Sequence, residues 1–330
     1  MRAVIIKEFG SIDTPELGEM PDPVPGPGEV VVRVRATAVN FVDLLVIGGK
    51  YQFLPPRPFT PGKGPAGEVA AVGAGVTGLE VGDRVLAMAE QGGYGELALV
   101  AANQCYPMPE QMSFGEAASM SLAYDTAWFA LRERGRLQPG DTVLVLGASG
   151  GVGFAALQLA KAMGARVLAG VSSPAKADMV LTAGADAVVD LSAPELRDSL
   201  REQVYAANEG RGADVVVDML GDDIFDAALR AVAWRGRMVV VGFAAGRIPT
   251  IKANYLLLKN IEVSGLQISD YRKKMPELAA ECFREIFSLY AQGKVTPAPY
   301  TALPLAQFRT GLRMVQDRTA KGRVVLTQED

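Results

Sequence analysis

Histidine is absent from the sequence. Without it there is no Ser-His-Asp or Cys-His nucleophilic machinery, no HExxH zinc site and no imidazole acid or base. Cysteine is nearly as scarce: Cys105 and Cys282 stand alone and far apart, so neither a disulfide framework nor a four-thiolate zinc site can form. No stretch reaches the roughly 18 uninterrupted apolar residues of a membrane span. Blocks of like charge are missing too. With 33 basic against 37 acidic residues, and a net charge of −4, nothing favours nucleic acid or an anionic membrane surface. The leading MRAVIIKEFGSID carries a charge inside its apolar run and continues like a strand, unlike a signal or transit peptide, so a cytoplasmic location is expected. Any chemistry must come from a cofactor, Tyr, Lys, carboxylates, amides and water.

Glycine and apolar residues are plentiful, at 36 Gly and 49% hydrophobic in 330 residues, a length that suits two cored domains. Up to about residue 120 the text is strand-like. RAVIIKEF, EVVVRVRATAV, GEVAAVG, DRVLAMA and GELALVAA, separated by Gly, Pro and Asp, predict an antiparallel barrel or sandwich. Further on the period changes. Residues 114–134 read as helical, and strand-sized apolar runs then alternate with helix-sized segments: TVLVLG (142–147), RVLAGV (166–171), AVVD (187–190), DVVVD (214–218) and MVVVG (238–242). Runs apolar on both faces belong to parallel strands covered above and below, which predicts an α/β doubly wound sheet. NIEVSGL (260–266) would complete that sheet, and a helix over 276–292 and the strand RVVLT (323–327) would return to the first domain.

The sharpest motif is TVLVLGASGGVGFAALQLAKAMGA, a buried strand, a glycine turn and an amphipathic helix. Gly147, Gly150, Gly151 and Gly153 permit a tight turn, so that backbone N–H groups around Ser149, Gly150, Gly151 and Val152 can approach a pyrophosphate at the helix N-terminus. The spacing departs from G-x-G-x-x-G, since Ala148 and Ser149 fill the middle. The flanking strand and helix still point to dinucleotide binding rather than a merely structural turn. At the end of the next strand an NAD enzyme usually carries an acid for the ribose 2′-OH. Here Ser172 and Ser173 stand there with Lys176 just beyond, a set that suits the 2′-phosphate of NADPH. The plainer alternative is two capping serines and a solvated lysine.

Beyond the glycine turn, AVNFVDLLVIGGKY, PFTPGKGPAGEVAAVG, VGDRV, GGYGELALV, TAWFAL and KGRVVLT occur in this order over nearly the whole chain. In them the sequence resembles the medium-chain dehydrogenase/reductase superfamily, and within it the zinc-independent NADPH:quinone oxidoreductase (zeta-crystallin-like) family. The resemblance implies a GroES-like β-barrel substrate domain over 1–120 and 264–330, with a Rossmann-like NADPH-binding domain over 121–263 inserted in it. It also implies a small-molecule quinone or enone substrate and a homodimer formed through the edge strand near 260–266. Zinc-dependent relatives carry Cys and His ligands at positions matching Asn40 and Lys63, and those ligands are missing here.

The same resemblance assigns candidate site residues. Asn40 either bonds the carboxamide or ribose of the cofactor or caps the following helix. Tyr51 either presents its phenol to the substrate oxygen or packs over the pocket mouth. Asp43 is expected to serve structure. Thr126 and Trp128 match a segment beside the nicotinamide, Phe243 is expected to offer its backbone at the carboxyl edge of the sheet, Leu266 is a weaker analogue, and Lys321 reaches either cofactor or solvent. Many relatives have an acid where Gly64 stands. Its neighbour Lys63 either replaces the metal as a positive charge near a developing oxyanion or is an exposed lysine on a Pro-Gly loop. The reaction implied is hydride transfer from C4 of NADPH to a quinone, enone or enal without a metal. An enoyl or acryloyl thioester reductase, and an NADPH-binding protein without turnover, are the alternatives.

Overall fold

The computed structural model describes residues 1–328. The chain divides into two compact units, one made of Met1–Leu122, Tyr271–Phe287 and the segment from Pro297 onward, the other of Ala123–Asp270 and Ser288–Thr296. In the first, β1 (Arg2–Ile5) and β2 (Glu16–Glu19) form a small antiparallel pair. β3 (Glu29–Ala38) is the spine: its Val30, Val32 and Val34 are buried with Val69, Val85, Ala98 and Val100, as its EVVVRVRATA alternation requires. After α1 (Phe41–Ile47), β4 (Ala66–Val72) pairs along one edge of β3, β5 (Arg84–Ala87) joins β4, β6 (Leu97–Ala101) pairs with the first half of β3, and β7 (Cys105–Pro107) joins β5.

Next comes α2 (Phe114–Trp128), which runs on into a π-helical turn, Phe129–Arg134. The second unit then alternates β8 (Thr142–Leu146), α3 (Gly151–Ala162), β9 (Arg166–Val171), α4 (Ala177–Thr182), β10 (Ala187–Asp190), α5 (Leu196–Ala207), β11 (Ala213–Asp218), α6 (Asp222–Ala231), β12 (Val232–Val240), α7 (Ala253–Lys259) and β13 (Glu262–Gly265). All six strands are parallel, in the order β10-β9-β8-β11-β12-β13. This is the doubly wound Rossmann-like order, in which β8 and β11 leave in opposite directions at the topological switch point. Every residue of β8 is buried, as its unbroken apolar run demands. β12 starts earlier than the MVVVG run, at Val232, and slips register opposite Ala213/Val215 with Arg235 at φ +62°. That bulge places exposed Trp234 and Arg235 inside a strand, so its polarity hid it.

The remainder comprises α8 (Ile268–Lys274), α9 (Pro276–Ala291), β14 (Tyr300–Pro304), α10 (Phe308–Gln316) and β15 (Arg323–Thr327). β15 pairs antiparallel with the second half of β3 and parallel with β14. The strands up to residue 120 pair antiparallel, as their sequence leads one to expect, and the parallel pair lies outside that stretch. β14 and β15 are joined by a helix rather than a hairpin, and a helical crossover is what a parallel pair requires. With this, the first unit is a GroES-like β domain and the fold class is α/β. Among the described residues no helix is long and apolar enough to cross a membrane.

Candidate active site

In the second unit, β8 ends in a turn where Gly147, at φ +76°, and Ala148 both donate N–H bonds to the Gly170 carbonyl at 3.0 Å. Gly150 stands extended at the N-cap of α3. A Cβ at Gly153 would lie 2.2 Å from the Gly147 oxygen, so only glycine allows the first turn of α3 to rest on the end of β8. The N–H groups of Gly151, Val152 and Gly153 have no acceptor within the helix and sit at its positive end. A cradle of bare backbone donors, beside the switch point of a parallel sheet, fits the pyrophosphate of a nicotinamide dinucleotide.

On the same edge, Ser172 is exposed just past β9, and Ser173 occupies the N-cap of the short helix Pro174–Lys176 without its hydroxyl making a cap bond. Phe243, 39% exposed, follows β12, and the Leu266 N–H, past β13, bonds the Val240 carbonyl at 3.0 Å. The sheet thus gathers Ser149, Gly150, Gly151, Val152, Ser172, Lys176, Phe243 and Leu266 on one edge. Asp218, which closes β11 there, is missed by sequence reasoning. Burial pushes its carboxyl up, and the Leu220 and Gly221 N–H groups hold it at 2.8 and 3.0 Å. Thr126 is buried on α2, with its N–H 2.6 Å from the Asp125 carboxylate, and the Trp128 ring packs edge-on against Phe129 at 5.0 Å.

The first unit gathers a buried polar cluster. Asn40 is the N-cap of α1 and forms a capping box with Asp43; its Nδ2 also donates to the Ala38 carbonyl at 3.1 Å, and its Oδ1 accepts from Arg323 at 2.7 Å. Asp43 accepts the Asn40 N–H at 2.8 Å and the Tyr94 hydroxyl at 2.9 Å on one oxygen. Burial pushes its carboxyl up to about 6, against the pull of those bonds and of the Lys63 and Arg323 charges. Lys63 is not an exposed loop lysine: it is 4% exposed, and its ammonium bonds Glu90. That ammonium also lies 5.3 Å from the centre of the half-buried Tyr51 ring. Gly64, at φ +65°, has no room for an acid, since a Cβ there would stand 2.9 Å from Ser121. Lys321 is exposed in the turn ahead of β15.

Glu90, Tyr94, Arg272 and Arg323 are the members that sequence reasoning missed. Glu90 directly follows DRVLAMA and Tyr94 lies inside GGYGELALV, so both were within reach, whereas Arg272, in the run Arg-Lys-Lys at the end of α8, reads as a solvated charge. Zinc does not suit these residues. The Lys63 ammonium and the Asn40 amide are engaged as described, burial pushes the Cys105 thiol up to about 12, and among the described residues no three His, Cys, Asp or Glu side chains gather for a metal.

Residues 26–110 match the family model of the alcohol dehydrogenase GroES-like domain, and residues 151–284 that of zinc-binding dehydrogenases. A quinone oxidoreductase-like protein 2 homolog of Nematostella vectensis is 36% identical over 305 residues, covering 91% of this chain and 82% of that one. A mycobacterial protein solved in complex with NADPH superposes with a TM-score of 0.91 at 31% identity, and the CurK enoyl reductase with 0.89 at 26%, each covering 99% of both chains. The chain belongs to the medium-chain dehydrogenase/reductase superfamily, in its quinone oxidoreductase-like family, and is an NAD(P)H-dependent oxidoreductase.

Proposed function

We propose that the protein reduces quinones, or closely related α,β-unsaturated carbonyl compounds, with NADPH and without a metal ion. The observation that carries this reading is the glycine cradle of α3 at the switch point of the parallel sheet, which suits a nicotinamide dinucleotide and with it hydride transfer. When bound, NADPH supplies a hydride from C4 of its nicotinamide. The N–H groups at Ser149, Gly151 and Val152 would hold the pyrophosphate, that of Gly150 being taken by the Gly147 carbonyl at 2.9 Å, while Ser172, Ser173 and Lys176 would receive the 2′-phosphate. Thr126, the backbone at Phe243, Leu266 and Lys321 complete the cofactor contacts. Asn40 and Tyr51 donate hydrogen bonds to the substrate oxygen as negative charge develops on it, Lys63 adds positive charge nearby, and the final proton comes from tyrosine or water.

An enoyl thioester is the second acceptor class, favoured by the likeness to an enoyl reductase. The proposed assembly is a homodimer in which a second copy pairs along the outer edge of β13, beside exposed Trp234, Leu257 and Leu258. NADPH oxidation followed with a benzoquinone, an enone and acryloyl-CoA, each with NADH in parallel and with chelator added, tests the function. Rapid, chelator-insensitive turnover with NADPH is expected, and the preferred acceptor decides between the two classes. S172D, which sets a carboxylate against the 2′-phosphate, is expected to lower kcat/KM for NADPH at least about tenfold relative to NADH. NADPH binding with none of the acceptors reduced would point instead to a protein that binds the cofactor without turnover.

A further inference from the structure

Taking a cation out of water is costly, and Lys63 and Arg272 are 4% and 1% exposed. Glu90 serves both: one carboxylate oxygen accepts the Lys63 ammonium, and the other accepts Arg272 Nη1 at 3.3 Å. The carboxylate is divided, so the ammonium is fixed without a counter-charge wholly its own. The backbone under Lys63 is fixed as well. Gly62 and Gly64 flank it at φ +95° and +65°, and a Cβ on Gly62 would meet the Tyr94 ring at 2.4 Å. All this rigidity delivers one charge to one place, 5.3 Å from the centre of the Tyr51 ring. A buried ion pair is weak evidence for stability.

We propose that Lys63, held by Glu90 and Arg272, acts as a positioning residue that stabilises the phenolate of Tyr51 and so makes Tyr51 the proton donor to the reduced substrate. This rests on the reductase reading above. As hydride adds to the electrophilic carbon, the carbonyl π pair moves to oxygen. The Tyr51 O–H bond then breaks, its proton bonds to that oxygen, and the pair stays on Tyr51 until water returns a proton. The other charged groups of the surroundings are Asp43 on α1, bonded to Tyr94; Arg323 at the start of β15, bonded to Asn40; and Lys273 on α8, 5.7 Å from the ring centre of Phe53, which packs edge-on against Tyr51. Lys63 is the cation over the Tyr51 ring, and its charge serves the oxyanion through that tyrosine.

The test is a tyrosine titration by ultraviolet absorbance on the whole protein without NADPH, with Y51F as the blank that isolates Tyr51. In the native protein Tyr51 is expected to ionise below the usual value of about 10. K63M is expected to raise it by about one unit, K63R to leave it near the native value, and E90Q, which removes the nearby negative charge, to lower it further. Opposite shifts from K63M and E90Q are not what a general loosening of the fold produces. Tyr51 ionising at or above about 10 in the native protein, or at one value in native protein, K63M and E90Q alike, overturns the inference. Turnover without the shifts overturns it alone, whereas shifts without turnover of any acceptor overturn the reductase reading on which it rests.

Discussion

Asp43 shows what one buried carboxyl does to the energetics of the first unit. Its ordinary value is 3.8, and burial raises it to about 6 in the folded protein. The native state therefore holds this proton more tightly than the unfolded chain does. Its contribution to stability is present in full below about 3.8 and is lost as pH rises through about 6, a change of order 3 kcal/mol between acid and neutral conditions. D43N keeps an oxygen for the Asn40 N–H and the Tyr94 hydroxyl without the charge. Urea denaturation at pH 5 and pH 7 is expected to show that D43N flattens this part of the pH profile. Legibility at this scale was uneven. Asp43 reads from the sequence as structural, while Lys63, between Pro-Gly and Gly-Pro steps, looks like a surface residue. Its burial depends on Glu90 and on Arg272 from the far end of the chain, and no local pattern carries that information.

Among the elements, α3 is the most exacting. G153A forces a methyl group to within 2.2 Å of the Gly147 carbonyl unless the helix start withdraws from β8. Such overpacking costs about 1–3 kcal/mol, and withdrawal moves the N–H groups proposed to hold the pyrophosphate. NADPH affinity, read by fluorescence titration, is expected to fall at least about tenfold while far-ultraviolet dichroism is retained. The strands of the second sheet were legible because β8, β9 and β11 are buried on both faces and so nearly uniform in apolar residues. The π-helical turn after α2 was not, since Phe129, Ala130 and Leu131 simply prolong the apolar text of the preceding helix. β14, YTALP, has alternating exposure but ends in proline, and it was missed.

For the whole molecule, alternation of buried strands and helices announced a doubly wound sheet, and the closing RVVLT forms β15, which pairs with β3. Nothing in periodicity alone separates quinone from thioester reduction, because that choice lies in pocket shape. The proposed dimer gives a prediction at this scale. Sedimentation is expected to report a mass near twice the 34.9 kDa of one chain, and L257K/L258K, which charges two residues that are 76% and 70% exposed, to leave a monomer with its thermal transition unchanged.

The long strand β3 has a consequence for biosynthesis. Its first half is paired by β6 soon after both leave the ribosome, but its second half waits for β15, which is translated long afterwards. The parallel sheet of the second unit lies wholly between them and is complete in the nascent chain first, as domains fold in units. Until β15 is translated, Ala36, Thr37 and Ala38 present an unfilled backbone edge, the kind of surface that recruits other strands. A ribosome stalled before Arg323 would therefore hold a chain whose cofactor fold is made and whose other half is still open to misassembly.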